Sequence, residues 1–154
     1  MSRLVSHRHL GPAVLVLGFL ATACSSGGAS PSAGSSVKVE LQEWAVLPAS
    51  NSAKAGAVAF QVTNKGPDDV HEFVVIKTDL DPGALPTDAT GAVDEAGQGM
   101  AVIGEIEDIP VGQTQELSLT LSPGKYVLIC NIYDETEKEA HYKLGMRISF
   151  TAGQ

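Results

Sequence analysis

Four side chains of this 154-residue sequence could together hold a soft metal ion: His71, Cys130, His141 and Met146. They stand in HEFVV at 71–75, at the end of GKYVLIC at 130, and at the two ends of HYKLGM at 141–146. Two of the four histidines, His7 and His9, lie in an N-terminal leader, so His71 and His141 are those left to the rest of the chain. The second cysteine, Cys24, ends that leader, which leaves Cys130 without a thiol partner. A lone thiol in an exported chain is vulnerable to oxidation unless it is buried or engaged. Taken singly, each residue has a plain reading: His71 as a strand-end histidine bonded to a carbonyl, Cys130 as a small buried hydrophobe, Met146 as core filler. Taken together they supply two imidazoles, a thiolate and a weak thioether, a set that suits copper in both oxidation states. Zinc competes for His and Cys, but a thioether serves it poorly and structural zinc sites favour more thiolates. A Cys130–His141 nucleophile pair lacks both a third group at recognisable spacing and a glycine run for an oxyanion hole. Met100 falls in an irregular region and is read as incidental.

The elements that must position these groups read as short strands. VKVEL at 37–41 alternates apolar and polar residues, the period of a half-buried strand. A strand from Ala57 to Val62 precedes the turn Asn64-Lys65-Gly66-Pro67. FVVI at 73–76 is apolar on both faces, as in a central strand, and LSLTL at 117–121 alternates. Ser122-Pro123-Gly124 turns the chain into the Tyr126–Cys130 strand, and the last strand runs from Arg147 to Thr151. No segment has an apolar stripe at helical spacing. Residues 79–99 hold two prolines, four glycines, four Asp and one Glu, and read as a long polar surface loop with at most a helical turn near Val93–Ala96. The pattern predicts an all-β fold, a sandwich of two sheets. In it His71 opens one strand, Cys130 closes another, and His141 and Met146 follow on the connection to the last, so three ligands meet a fourth from a distant strand.

The three motifs resemble those of the cupredoxins, the blue-copper proteins that include plastocyanin, azurin and rusticyanin, over nearly all of 37–152. The resemblance implies a Greek-key β-sandwich and one copper ion, with His71, Cys130 and His141 as equatorial ligands and Met146 as the axial one. It implies electron transfer with a redox partner protein, near His141 and Tyr142 at the rim, by a monomer. Ten residues separate Cys130 from His141, where the family has only a few. Such a length is tolerable, since doubling a flexible loop costs only about 0.6 kcal/mol in closure entropy. Asn64 and Asn131 are candidates for hydrogen bonds that support the ligands.

The first 23 residues have the form of an export signal: Arg3 and Arg8, then an apolar run from Leu10 to Ala23 too short to span a bilayer. LATAC at 20–24 resembles a lipobox, which makes Cys24 the expected site of lipidation and of membrane anchoring. Residues 24–36, rich in Ser and Gly, read as a flexible tether, and the folded domain is expected over 37–154. The chain carries 18 acidic and 10 basic side chains, for a net charge of −8. Loss of Arg3 and Arg8 with the leader leaves 8 basic against 18 acidic groups, a net −10. This balance excludes a nucleic-acid binder, which needs a basic surface. Glu135, Glu137 and Glu139 read as a solvated loop, or as a rim that docks a basic partner. An extracytoplasmic electron carrier, periplasmic or secreted if not lipidated, is the leading expectation. The alternative is a copper-handling lipoprotein for delivery, storage or sensing, and a third class is a small redox enzyme with an open coordination position.

Overall fold

The computed structural model describes residues 34–154, so the leader, Cys24 and most of the tether lie outside the described residues. One sheet is formed by β1 (Ser35–Gln42), β2 (Ala45–Pro48), β4 (Gly56–Asn64) and β7 (Thr114–Leu121), in the order β2-β1-β4-β7. The other is formed by β3 (Ser52–Lys54), β5 (His71–Thr78), β6 (Met100–Ile109), β8 (Gly124–Ile129) and β11 (Arg147–Gly153), in the order β3-β11-β8-β5-β6. A two-stranded ribbon, β9 (Tyr133–Asp134) and β10 (Glu139–Ala140), and a single turn of helix, α1 (His141–Leu144), occupy the connection from β8 to β11. The fold is the expected all-β sandwich. Its first strand starts at Ser35, where Ser35 and Ser36 already pair with Val58 and Ala59, two residues ahead of the boundary drawn from composition.

Alternation explains the first sheet. In β1 Val37, Val39 and Leu41 are buried while Lys38 and Glu40 face water, and β4 buries Val58, Phe60 and Val62 in the same way. These residues meet the inner face of the second sheet. Phe60 lies 5.4 Å from Phe73 and 5.5 Å from Phe150, ring centre to ring centre, in tilted and edge-on contacts that suit aromatic quadrupoles. β5 is buried on both faces from Phe73 to Ile76, as its unbroken apolar run requires.

The second face of β5 has a cover that composition concealed. Leu85 and Val93, from the segment 79–99, pack with Val74, Ile76, Val127, Ile129 and Tyr142 in a second buried cluster. The segment is therefore a strap across the sheet rather than only a polar loop. A Thr87–Val93 bridge and turns organise it, and residues 93–96 form no helical turn. Asp88 accepts backbone N–H bonds from Thr90 and Gly91, which satisfies part of the strap locally. Met100 opens β6 and packs at the edge of this cluster.

Candidate metal centre

His71 begins β5, Cys130 follows β8, and those strands are antiparallel neighbours in register from Val74–Ile129 to Lys77–Tyr126. Pairing alone therefore brings the imidazole and the thiol to the same end of the sandwich. Asn64, fully buried, shapes the turn that delivers His71. Its side-chain amide donates to the carbonyls of Asp69 and Ile109, and its oxygen accepts the Gly66 N–H. Asn64 thus supports the site by holding backbone, at some remove from the ligands themselves.

The ten residues between Cys130 and His141 are not a slack loop. β9 and β10 pair within them, and Asp134 Oδ1 accepts the N–H groups of Thr136 and Glu137 at the tip. The His141 N–H donates to the Ile132 carbonyl at 2.9 Å, closing the ribbon beside Cys130. The ten residues are taken up by a self-contained hairpin, and His141 follows it directly. From α1 the chain turns back at Gly145, whose φ is 136° and whose Cβ would lie 2.9 Å from the Trp44 carbonyl oxygen. Positive φ and this close approach both require glycine. Met146 follows: its N–H donates to the His141 carbonyl, and its own carbonyl accepts the Cys130 N–H, each at 3.1 Å.

The three donor atoms converge. Nδ1 of His71 lies 3.3 Å from Nδ1 of His141, and Cys130 Sγ lies 3.9 Å and 3.4 Å from these nitrogens. A point equidistant from the corners of such a triangle is about 2.1 Å from each, the usual length of a bond from imidazole or thiolate to a first-row metal ion. The residues therefore fit a metal ion without rearrangement, and among the described residues they form the one such group. All three are buried, as is Met146, which packs in the same core cluster as Cys130. The structure thus gathers His71, Cys130, His141 and the Met146 backbone at one place.

Burial sets the electrostatics. It pushes the Cys130 thiol up to about 12, although the Glu72 N–H donates to its sulfur at 3.3 Å. Burial, and then the neighbouring His141, hold His71 down at about 4, and burial also lowers His141. Two neutral imidazoles and a protonated thiol face one another in the metal-free protein. An incoming cation relieves that arrangement by replacing the thiol proton. Glu72 is raised to about 7, chiefly by burial, while its carboxylate accepts the Asn131 N–H at 2.7 Å. The Asn131 side chain in turn holds the strap, through Val93 N–H and C=O and the Glu95 carboxylate.

Two residues at this site have no counterpart in the sequence reading. Glu43 and Trp44 form the tip between β1 and β2, where Gln42 pairs with Ala45. Trp44 packs edge-on against His141 at 4.8 Å and His71 at 6.4 Å, and Glu43 Oε1 stands 3.6 Å from His71 Nε2. Trp44 is the chain's single tryptophan, but it sits outside the three motifs, in a turn with no spacing relation to them. His141 and Tyr142, the residues expected at the rim, are only 2% and 1% exposed. Tyr142 is drawn inward because its hydroxyl donates to the Pro82 carbonyl and accepts the Leu85 N–H. An open groove reaches His141 from the side, lined by Asp68, Asp69, Asp108, Asp134 and Glu135.

No protein-family model matches the chain, and no curated protein matches it in sequence. Solved structures do match in fold. Reduced auracyanin from Roseiflexus castenholzii aligns with a TM-score of 0.55 at 20% identity, over 78% of this chain and 98% of that one. Auracyanin A, described as a "blue" copper protein from Chloroflexus aurantiacus, aligns at 0.51 and 18%, over 77% and 98%. An azurin from Methylomonas sp. strain J aligns at 0.51 and 14%, over 78% and 98%. At these identities the likeness is one of fold, and the fold is that of the cupredoxins.

Proposed function

We propose that the protein is a copper-dependent one-electron carrier, with the ion held by His71, Cys130 and His141 and with Met146 as a weak fourth donor. The observation that carries this reading is the buried convergence of two imidazole nitrogens and a thiol at metal-bonding separations. Bound copper would supply the one-electron chemistry, as the donor set of blue-copper sites does. The chain's own residues do the rest. The sandwich fixes Cys130 and His71 by strand pairing, and the β9–β10 ribbon and Gly145 fix His141 and Met146. Donor atoms that are already in place need little rearrangement when an electron arrives or leaves. Burial excludes water from the thiolate, which protects it from oxidation.

Electron exchange is expected through the acid-lined groove beside His141. Of the three ribbon glutamates, Glu135 lies on that groove, where a basic partner would approach the centre. The described residues contain no helix long and apolar enough to cross a membrane. Export and anchoring through lipid on Cys24 belong to this proposal on the strength of residues 1–36, as does a location outside the cytoplasm. A mature N-terminus elsewhere, without acyl mass, would remove the anchor and leave the centre unaffected.

The hydrogen-bonded ribbon favours a carrier over a copper-handling protein, which needs a loop that opens. Spectroelectrochemical cycling of the copper-loaded protein separates the two. A carrier cycles reversibly with its copper retained, and it exchanges electrons with a basic cytochrome faster at low salt than at high salt. Loss of copper on each reduction would instead identify the handling function, and rates independent of salt would remove the groove from the docking account.

A further inference from the structure

Among the described residues, two buried side-chain polar atoms have no hydrogen-bond partner, Glu43 Oε2 and His71 Nε2. They belong to adjacent groups. Glu43 Oε1 stands 3.6 Å from His71 Nε2, too far for a hydrogen bond but within the range of a charge contact. The His71 side chain is fully buried and that of Glu43 is 11% exposed. A neutral imidazole that offers one nitrogen to a metal carries its proton on the other. Here Nδ1 faces Cys130 and His141, so the proton belongs on Nε2, directed at Glu43.

Glu43 is held where it stands. Its Oε1 accepts the N–H groups of Asp68 at 3.2 Å and Asp69 at 2.8 Å, on the turn that leads into His71. The carboxylate cannot swing away without releasing that turn. A metal on Nδ1 makes the Nε2–H a stronger donor, and a shift below 1 Å closes the contact to about 2.8 Å.

We propose that Glu43 is the outer partner of His71, in a line of metal, imidazole and carboxylate, and that its negative charge favours the more highly charged oxidation state of the ion. The proposal rests on the reading of the site as a redox copper centre. It assigns Glu43 as a positioning residue that also lowers the reduction potential. The charge lies within one imidazole ring of the metal, in a nearly water-free setting where screening is weak.

The test is Glu43→Gln in the full-length protein. Glutamine keeps a carbonyl oxygen for the Asp68 and Asp69 amides, removes the charge and sets an NH2 group near Nε2–H. The expected result is about a tenfold loss of Cu(II) affinity relative to Cu(I), equivalent to a potential raised by about 59 mV for a one-electron couple. Equal weakening of both states, or an unmoved potential, would mean a structural role only and would overturn the proposal. A second measurement on the unaltered protein does not depend on how the variant folds. In the diamagnetic Cu(I) form, the His71 Nε2–H should give a downfield proton resonance protected from exchange with water. Rapid exchange there would equally overturn it. A wild-type protein with no copper couple at all would instead defeat the functional reading on which the proposal stands.

Discussion

At the scale of residues, the centre is a set of groups made uncomfortable by burial and made comfortable by a cation. Cys130 stays a thiol until far above neutral pH, and His71 stays neutral until about 4. This has a consequence for the metal-free protein. Unfolded imidazoles take up protons near pH 6.5, whereas folded His71 resists to about 4, and His141 is lowered as well. The unfolded chain therefore binds more protons between those limits, and stability falls as the solution is acidified. The contribution of the two histidines is complete above the unfolded value and is lost as the pH drops through the folded ones. Buried Glu72, raised to about 7, acts in the opposite sense over the same range, so the histidine contribution in the metal-free protein is read by comparison with a variant that lacks both imidazoles. In His71→Gln/His141→Gln the melting temperature should fall less, or rise more, from about pH 6.5 to 4.5 than it does in the native protein. Identical pH profiles of melting temperature for the native protein and this variant would show that neither histidine is buried as described.

At the scale of elements, the 79–99 strap and the ligand loop are one assembly, joined at Tyr142. Its ring fills the second cluster beside Leu85 and Val93, and Arg147 lies over it at 5.0 Å. Its hydroxyl makes two bonds to the strap, with Pro82 and Leu85, one residue after a candidate ligand. Tyr142→Phe leaves the ring and removes those bonds. It should destabilise the fold by about 1–3 kcal/mol, the range for a buried backbone group left unpaired. Hydrogen exchange should quicken at Leu85 and its neighbours while the strands of the sheets stay protected. Unchanged exchange in the strap would separate it from the ligand loop. Sequence reading foresaw the strands that alternate or are wholly apolar, β1, β4, β5, β7, β8 and β11. It passed over β6, where Glu105, Glu107 and Asp108 mask an edge strand, and the short β2 and β3. It saw the polarity of the strap but not Leu85 and Val93, two apolar residues among many turn formers. The ribbon was hidden for the same reason, since two-residue strands carry no period.

At the scale of the whole molecule, two sheets and an aromatic core bring His71, Cys130 and His141 together at one end of the sandwich, beside a groove rich in carboxylates. The candidate ligands were legible because chemistry singles them out: few soft donors, in three motifs, with Cys130 the one cysteine among the described residues. Glu43 and Trp44 were not, because their role comes from a hairpin tip that only the assembled β1–β2 pair brings over His71 and His141. The same assembly explains why His141 is sheltered by Trp44 and reached from a groove. The claim on which everything else depends is that Cys130 supplies a thiolate to copper between the two histidines. The visible absorption spectrum of the Cu(II)-loaded protein, recorded beside that of Cys130→Ser, tests it most directly. The account predicts an intense thiolate-to-copper band in the native protein and none in the variant, since a hydroxyl cannot supply that transition. An equally intense band in Cys130→Ser, or only weak ligand-field absorption in the native protein, would contradict it.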